Sequence, residues 1–297
     1  MIKRFRLPVI QTVVDVFTYA FRKFPSLFVL TLIASVLVEP LMFLVLQVTG
    51  SFAEFSLFAQ SGLSTDYTIT SILRILLGVL IILVAVLLFF ALIAVPIISH
   101  ITHGERLWLV RISTTTPGYM LAQLPVILIL AGIGFVAVIE SGAITLVLSP
   151  AIIAFGYVGV RLSLVPVDVV ASGSLNFGKG LALSKYNGFR LLAIMLLTGL
   201  PVLIVGLISM ETVLGLYGTD DGSVTVVSEP DSSQIFHGGL RQILELYIYT
   251  YSRPAFVAAN GIVFLFMAFA GGIMLSAPAI AYRKLAKGIA NSRDIHK

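Results

Sequence analysis

The chain contains no cysteine. Disulfides, thiolate metal ligands and cysteine nucleophiles are excluded together, and no redox compartment can be read from it. Charge is also scarce. Only 11% of the 297 residues are Asp, Glu, Lys or Arg, against roughly 25% in soluble domains. The four histidines, His100, His103, His237 and His296, lie outside the long apolar runs, which leaves an intramembrane general base without a candidate. There is no phosphate-binding loop, no HExxH, no Gly-x-Ser-x-Gly elbow and no dinucleotide fingerprint. No catalytic residue is therefore assigned, the protein is read as not an enzyme, and no cofactor or metal is expected. His100 and His103 have helical spacing for a shared ion, but no third strong ligand is close in sequence.

What the sequence does have is apolar surface. Hydrophobic residues make up 58% of the chain. A soluble fold of this size cannot hide that much, whereas a bilayer replaces water as the solvent. Crossing about 30 Å of hydrocarbon takes about 20 helical residues. Six runs meet that length, near residues 27–48, 75–98, 119–139, 143–160, 191–210 and 255–282. Their continuous apolarity, without period-two alternation, excludes a transmembrane barrel and requires helices. The expected fold is all-α, a single polytopic membrane domain of about six transmembrane helices. Glu140-Ser141-Gly142 forms a tight turn between the third and fourth runs, so those two helices are expected to be antiparallel neighbours.

Basic residues set the orientation. With the N-terminus in the cytoplasm, 16 of the 19 Lys and Arg fall on the inside, and only Arg74, Arg241 and Arg253 fall outside. Six spans then return the C-terminus to the same side. The expected location is the plasma membrane (the inner membrane of a bacterium), multi-pass, with both termini cytoplasmic. Two extracytoplasmic loops run near 49–70 and 215–254. The N-terminal stretch is expected to be retained rather than cleaved, because Asp15 interrupts it and no small-residue cleavage site follows. The net charge of +5 is thus a topological signal, and nucleic acid is not an expected partner.

Two segments on the basic side are amphipathic. Over residues 8–24, Ile10, Val13, Val14, Phe17, Phe21 and Phe24 recur at helical spacing, with Gln11, Asp15, Arg22 and Lys23 on the other face. This pattern predicts a helix lying in the membrane interface. A weaker version places Phe177 and Leu181 among Asn176, Lys179 and Lys185. The two align, Ala20-Phe-Arg-Lys-Phe-Pro-Ser-Leu27 on Ala182-Leu-Ser-Lys-Tyr-Asn-Gly-Phe189. They suggest a repeated unit of interfacial helix, outward span and return span.

The stretch Arg161-Leu-Ser-Leu-Val-Pro166, followed by Phe177-Gly-Lys-Gly-Leu-Ala-Leu-Ser184-Lys-Tyr-Asn-Gly-Phe-Arg190, resembles the membrane domain of glycerophosphoryl diester phosphodiesterases and its YciC-like relatives. Gly104-Glu-Arg and Tyr282-Arg-Lys-Leu are similar to the same group. The resemblance covers roughly the last two thirds of the chain. It implies six helices with interfacial helices beside them. It implies no hydrolase activity, since the catalytic barrel of those enzymes is a separate soluble domain, and its carboxylate and histidine motifs do not occur here.

Ionisable groups at membrane depth are costly and mark function by default. Glu39 lies about 18 Å along the first span from Leu27, and Pro40 after it is expected to loosen the helix and free a carbonyl. Glu140 and Glu211 sit at the outer ends of two other outward spans, and the three form a candidate intramembrane polar site. Arg161, Lys179, Lys185 and Arg190 form a candidate lipid-phosphate site on the inner face. The expected function is a non-enzymatic membrane protein of the cell envelope that binds lipid headgroups or partner proteins at the cytoplasmic face. The alternative is a transporter or channel for ions or small molecules that uses the Glu39 carboxylate. Expected partners are membrane lipids, with other membrane proteins or a second copy of the chain beside them.

Overall fold

Backbone groups in hydrocarbon have no water to bond, so an apolar run satisfies them within its own helix. The computed structural model follows that rule. It describes residues 6–51, 68–107, 113–138, 154–218 and 254–294, and no strand occurs among them. In chain order the helices are α1 (Val9–Val48), α2 (Ile69–His103), α3 (Thr115–Val138), α4 (Leu164–Ser172), α5 (Phe177–Ser184), α6 (Gly188–Gly218) and α7 (Pro254–Asp294). Residues 154–162 are also helical and lead into α4.

Five helices among the described residues are long and apolar enough to cross a membrane: Val9–Val48, Ile69–His103, Ala154–Ser172, Gly188–Ser209 and Gly261–Gly288. The most apolar window, in α2, has a mean hydropathy of 3.4. A shorter apolar stretch, Thr115–Ile129, belongs to α3. The chain is a polytopic, all-helical membrane protein. Two details differ from the boundaries expected from sequence. α1 runs 40 residues without a break, through both Pro25 and Pro40, so the amphipathic stretch 8–24 and the first span are one helix. The fourth apolar helix extends to Ser172 rather than stopping near 160. Residues 139–153, with the Glu140-Ser141-Gly142 turn, lie outside the described residues.

The chain divides into two units. The first comprises Met1–Thr31, Phe90–Leu203 and Ala268–Lys297. Its core is made of closely packed small and branched residues. Every residue of α2 from Ala91 to Ile98 is buried, as are Ser276, Ala277, Ala279, Ile280 and Ala281 of α7. The small-residue stripe Ala268, Gly272 and Ser276 is spent inside this unit. All three are buried, and a Cβ placed on Gly272 would stand 2.5 Å from Leu27 Cδ1 of α1. Such close approach is how small residues bring transmembrane helices together. α3 packs on α4 through Ala122, Val165 and Val169, with Leu162 and Leu181 around them.

The second unit comprises Leu32–Phe89 and Ile204–Met267. Its helices bury one stripe and expose another. In α1, Ala34, Val38 and Leu46 are buried while Val36, Leu37, Leu41 and Leu44 are exposed. Leu73, Leu76 and Leu80 of α2 are exposed as well, as are Leu207 and Ile208 of α6. Contiguous exposed leucine is unfavourable in water and suits a lipid surround.

Candidate functional site

The first unit holds most of the polar contacts between described elements, and three consecutive residues of α7 make several of them. Successive helical side chains point about 100° apart, so three in a row can reach three different neighbours. The Tyr282 hydroxyl donates to Asp168 Oδ1 on α4 at 2.6 Å. Arg283 Nη1 donates to the Ile101 carbonyl in the last turn of α2 at 3.1 Å, a turn whose carbonyls lack intrahelical partners. Lys284 Nζ lies 2.6 Å from Asp15 Oδ2 and 3.4 Å from Thr12 Oγ1 on α1.

Asp168 is fully buried. Its Oδ1 also meets Lys179 Nζ at 3.0 Å, while Oδ2 has no hydrogen-bond partner among the described residues. An unpaired buried carboxylate costs several kcal/mol, so the lysine and the tyrosine offset a real penalty. The backbone delivers Lys179 to this place. Gly173 closes α4 in the left-handed conformation, φ 69°, which glycine adopts without strain, and its N–H bonds the Val169 carbonyl at 2.9 Å. The Asn176 side chain then caps α5 by accepting from the Lys179 N–H at 3.2 Å. Gly180 lets α5 lie on α4 at backbone distance, since a Cβ there would be 2.9 Å from Val165 Cα. The far end of α5 is tied by Arg161, whose Nε donates to Ser184 Oγ at 3.1 Å and whose Nη2 donates to the Leu181 carbonyl at 3.4 Å.

The segment before α1 is tied to the corner between α5 and α6. The Leu7 N–H donates to Asn187 Oδ1 at 3.0 Å, and Arg190 Nη1 donates to the Leu7 carbonyl at 2.8 Å. Beside this corner the surface mixes apolar and basic side chains. Leu175, Phe177, Tyr186 and Phe189 are exposed, as are Lys179 and Lys185.

The same unit contains a cleft of about 630 Å³. Its walls come from the end of α2 (Val95, Pro96, Ser99, His103), the connection after it (Glu105, Arg106), the start of α3 (Ser113, Thr114, Thr115) and Val170 of α4. Gly104, at φ 75°, turns the chain out of α2. The His100 ring fixes that turn by donating from Nδ1 to the Glu105 carbonyl at 2.5 Å.

Each residue singled out from the sequence has a definite place, except where it lies outside the described residues. Arg161, Lys179 and Arg190 are each engaged by a different protein partner: Ser184 with Leu181, Asp168, and Leu7. Lys185 lies over the Tyr186 ring, 5.7 Å from its centroid. No contact among these joins the four cations to one another. Glu39 is half-buried in α1, in the second unit. Glu211 lies on α6, and Glu140 is outside the described residues. His100 and His103 direct ring nitrogens to the carbonyls of Glu105 and Ala171. No group of three or more potential metal ligands occurs among the described residues.

Tyr282 as the partner of Asp168 and Arg106 as a cleft residue carry no local sequence signal. The first pair is separated by 114 positions, and the sequence marks Arg106 only by its charge and by the Gly104-Glu-Arg likeness. No family model, curated protein or solved structure matches the chain.

Proposed function

We propose that the protein is a non-enzymatic integral membrane protein of the cell envelope that gathers anionic lipid headgroups at its basic, cytoplasmic face. The observation that carries this reading is the division of charge. The stretches forming the first unit hold 16 of the 19 Lys and Arg and five of the 14 Asp and Glu, a net +11. Those forming the second hold three basic and nine acidic residues, a net −6. Basic residues near a membrane surface attract anionic lipid at about 1 kcal/mol each. The exposed Phe177, Tyr186 and Phe189 beside Lys179 and Lys185 add the apolar component that an interfacial element needs. The likeness of residues 161–190 to YciC-like membrane proteins agrees with a lipid-facing, non-hydrolytic role. The positive-inside bias supports an orientation with these basic stretches on the cytoplasmic side.

The test is lipid selection by the intact chain. The protein is reconstituted in nanodiscs of phosphatidylcholine and phosphatidylglycerol, extracted in mild detergent at low and at high salt, and its retained lipids are counted by mass spectrometry. Phosphatidylglycerol is expected to be enriched several-fold over the bulk mixture at low salt, with less enrichment at high salt, because exposed charges are screened. Retained lipid in bulk proportion at both salt concentrations rules the reading out.

A further inference from the structure

We propose that the cleft between the end of α2, the start of α3 and α4 binds the phosphate group of an organic phosphate ester, with Arg106 as its principal donor. The inference deepens the anionic-lipid reading when the ester is a lipid headgroup, and goes beyond it when the ester is soluble. About 630 Å³ falls within the size of small-molecule sites, roughly 300–1,000 Å³, and exceeds what a bare phosphate needs.

The polar inventory of the cleft selects the ligand's chemistry. Several of its groups are already committed. The Ser113 and Thr115 hydroxyls bond each other at 2.5 Å, and the Thr115 N–H donates to Ser113 Oγ at 3.2 Å. His103 Nε2 donates to the Ala171 carbonyl at 3.2 Å. Glu105, the acid on the rim, has a partner of its own. Arg106 is exposed and makes no hydrogen bond or ion pair with the described residues, and the hydroxyls of Ser99 and Thr114 make none either. A guanidinium with five N–H donors and two uncommitted hydroxyls, with the one acid among the described lining residues already engaged, is a set of donors for an oxyanion. A divalent cation needs several oxygen ligands, carboxylates foremost, and the described lining holds one carboxylate, Glu105.

The remaining wall is apolar and firm. Val95 and Val170 are buried, and Val95 belongs to the fully buried run of α2. Beside Pro96 they offer the carbon skeleton of an ester a dry surface, which inorganic phosphate would not use. The turn at Gly104, fixed by His100, holds the backbone two residues before Arg106, so part of the cost of ordering the site is met before a ligand arrives.

The experiment uses the full chain in neutral detergent and three probes: glycerol 3-phosphate, dioctanoyl phosphatidic acid and dioctanoylglycerol. The last two differ only in the phosphate. Binding is read from the fluorescence of Trp108, the single tryptophan, two positions from Arg106, and from the thermal midpoint. At least one phosphate probe is expected to saturate while dioctanoylglycerol does not. Arg106→Gln should weaken that binding at least tenfold, Arg106→Lys less so, and Thr114→Phe should obstruct the cleft from an exposed position. Thr70→Ala, exposed in the second unit and outside the cleft, should leave it unchanged. Saturation by phosphatidic acid alone identifies a lipid headgroup, and saturation by glycerol 3-phosphate identifies a soluble ester. The proposal is overturned if neither phosphate probe saturates, if dioctanoylglycerol binds equally well, or if Arg106→Gln and Thr114→Phe bind as the native chain does. Failure of the lipid-selection test with glycerol 3-phosphate binding intact would remove the lipid reading and leave the cleft standing.

Discussion

Asp168 concentrates the residue-scale energetics of the described structure. It is a carboxylate with no solvent exposure, one oxygen shared by Lys179 and Tyr282 and the other without a partner. Lys179 is about half exposed, with 53% of its side chain accessible, so its attraction is partly screened and contributes less than a fully buried ion pair. Its removal still leaves a buried charge held by one hydroxyl. Lys179→Met is expected to cost about 1–3 kcal/mol, and Tyr282→Phe a similar amount, since each strips the carboxylate of a donor. Asp168→Asn combined with Lys179→Met should recover part of the loss, because no charge then remains to be compensated. Denaturant titration in detergent of Asp168→Asn, Lys179→Met and the pair yields the coupling. Additive losses would mean that the carboxylate and the lysine do not act on each other. The sequence offered only parts of this cluster: Lys179 as a cation beside an apolar run, and Tyr282 through the likeness of Tyr282-Arg-Lys-Leu, with nothing local to join either to Asp168.

At the scale of elements, two similar sequences fold differently. Ala20–Leu27 and Ala182–Phe189 align residue for residue. The first lies inside the unbroken α1 although it contains Pro25, and the second is interrupted between α5 and α6 at residues 185–187. Helix propensity penalises proline far more than asparagine or glycine, so local preference alone points the wrong way. Tertiary contacts explain the corner. Asn187 accepts the Leu7 N–H, and Gly188 stands so close to Tyr157 that a Cβ would collide with its hydroxyl oxygen. The sequence made the apolar runs legible because each needs only its own composition. It left this corner illegible because its cause lies 180 positions away. The docking of α5 has its own weak point in Gly180. Gly180→Leu forces a side chain into the Val165 backbone and should lift α5 from α4. Amide exchange over residues 177–184 is expected to accelerate at least tenfold while α4 keeps its protection. Unchanged exchange in α5 would show that the helix tolerates the bulk and is held by Lys179 and Arg161 instead.

Over the whole molecule, charge and apolarity do separate work. Apolar length decides that the chain crosses a bilayer, and the location of its lysines and arginines decides which way. With the N-terminus inside, the span boundaries expected from sequence put 16 of the 19 basic residues on one side, and the stretches of the first unit hold those 16. Basic residues are tolerated where they reach headgroups and water rather than hydrocarbon. Arg6 and Lys287 both belong to the basic unit, and each lies near one terminus. A short epitope tag on either end should therefore resist added protease in intact cells and be cleaved after the membrane is opened. The six crossings expected from the sequence would return the chain to its starting side, and on that expectation the two tags should behave alike. Exchanging the three basic residues of the second unit, Arg74, Arg241 and Arg253, for glutamine should leave that result unchanged, since it only widens an existing bias. Replacing Lys3, Arg4, Arg6, Arg22 and Lys23 with glutamine removes the basic residues flanking the first crossing, which usually dominates orientation. A mixed population is then expected, with a measurable fraction of the N-terminal tag cleaved in intact cells. Uniform protection after that change would assign control of orientation to the later basic segments around Arg161, Arg190 and Arg283.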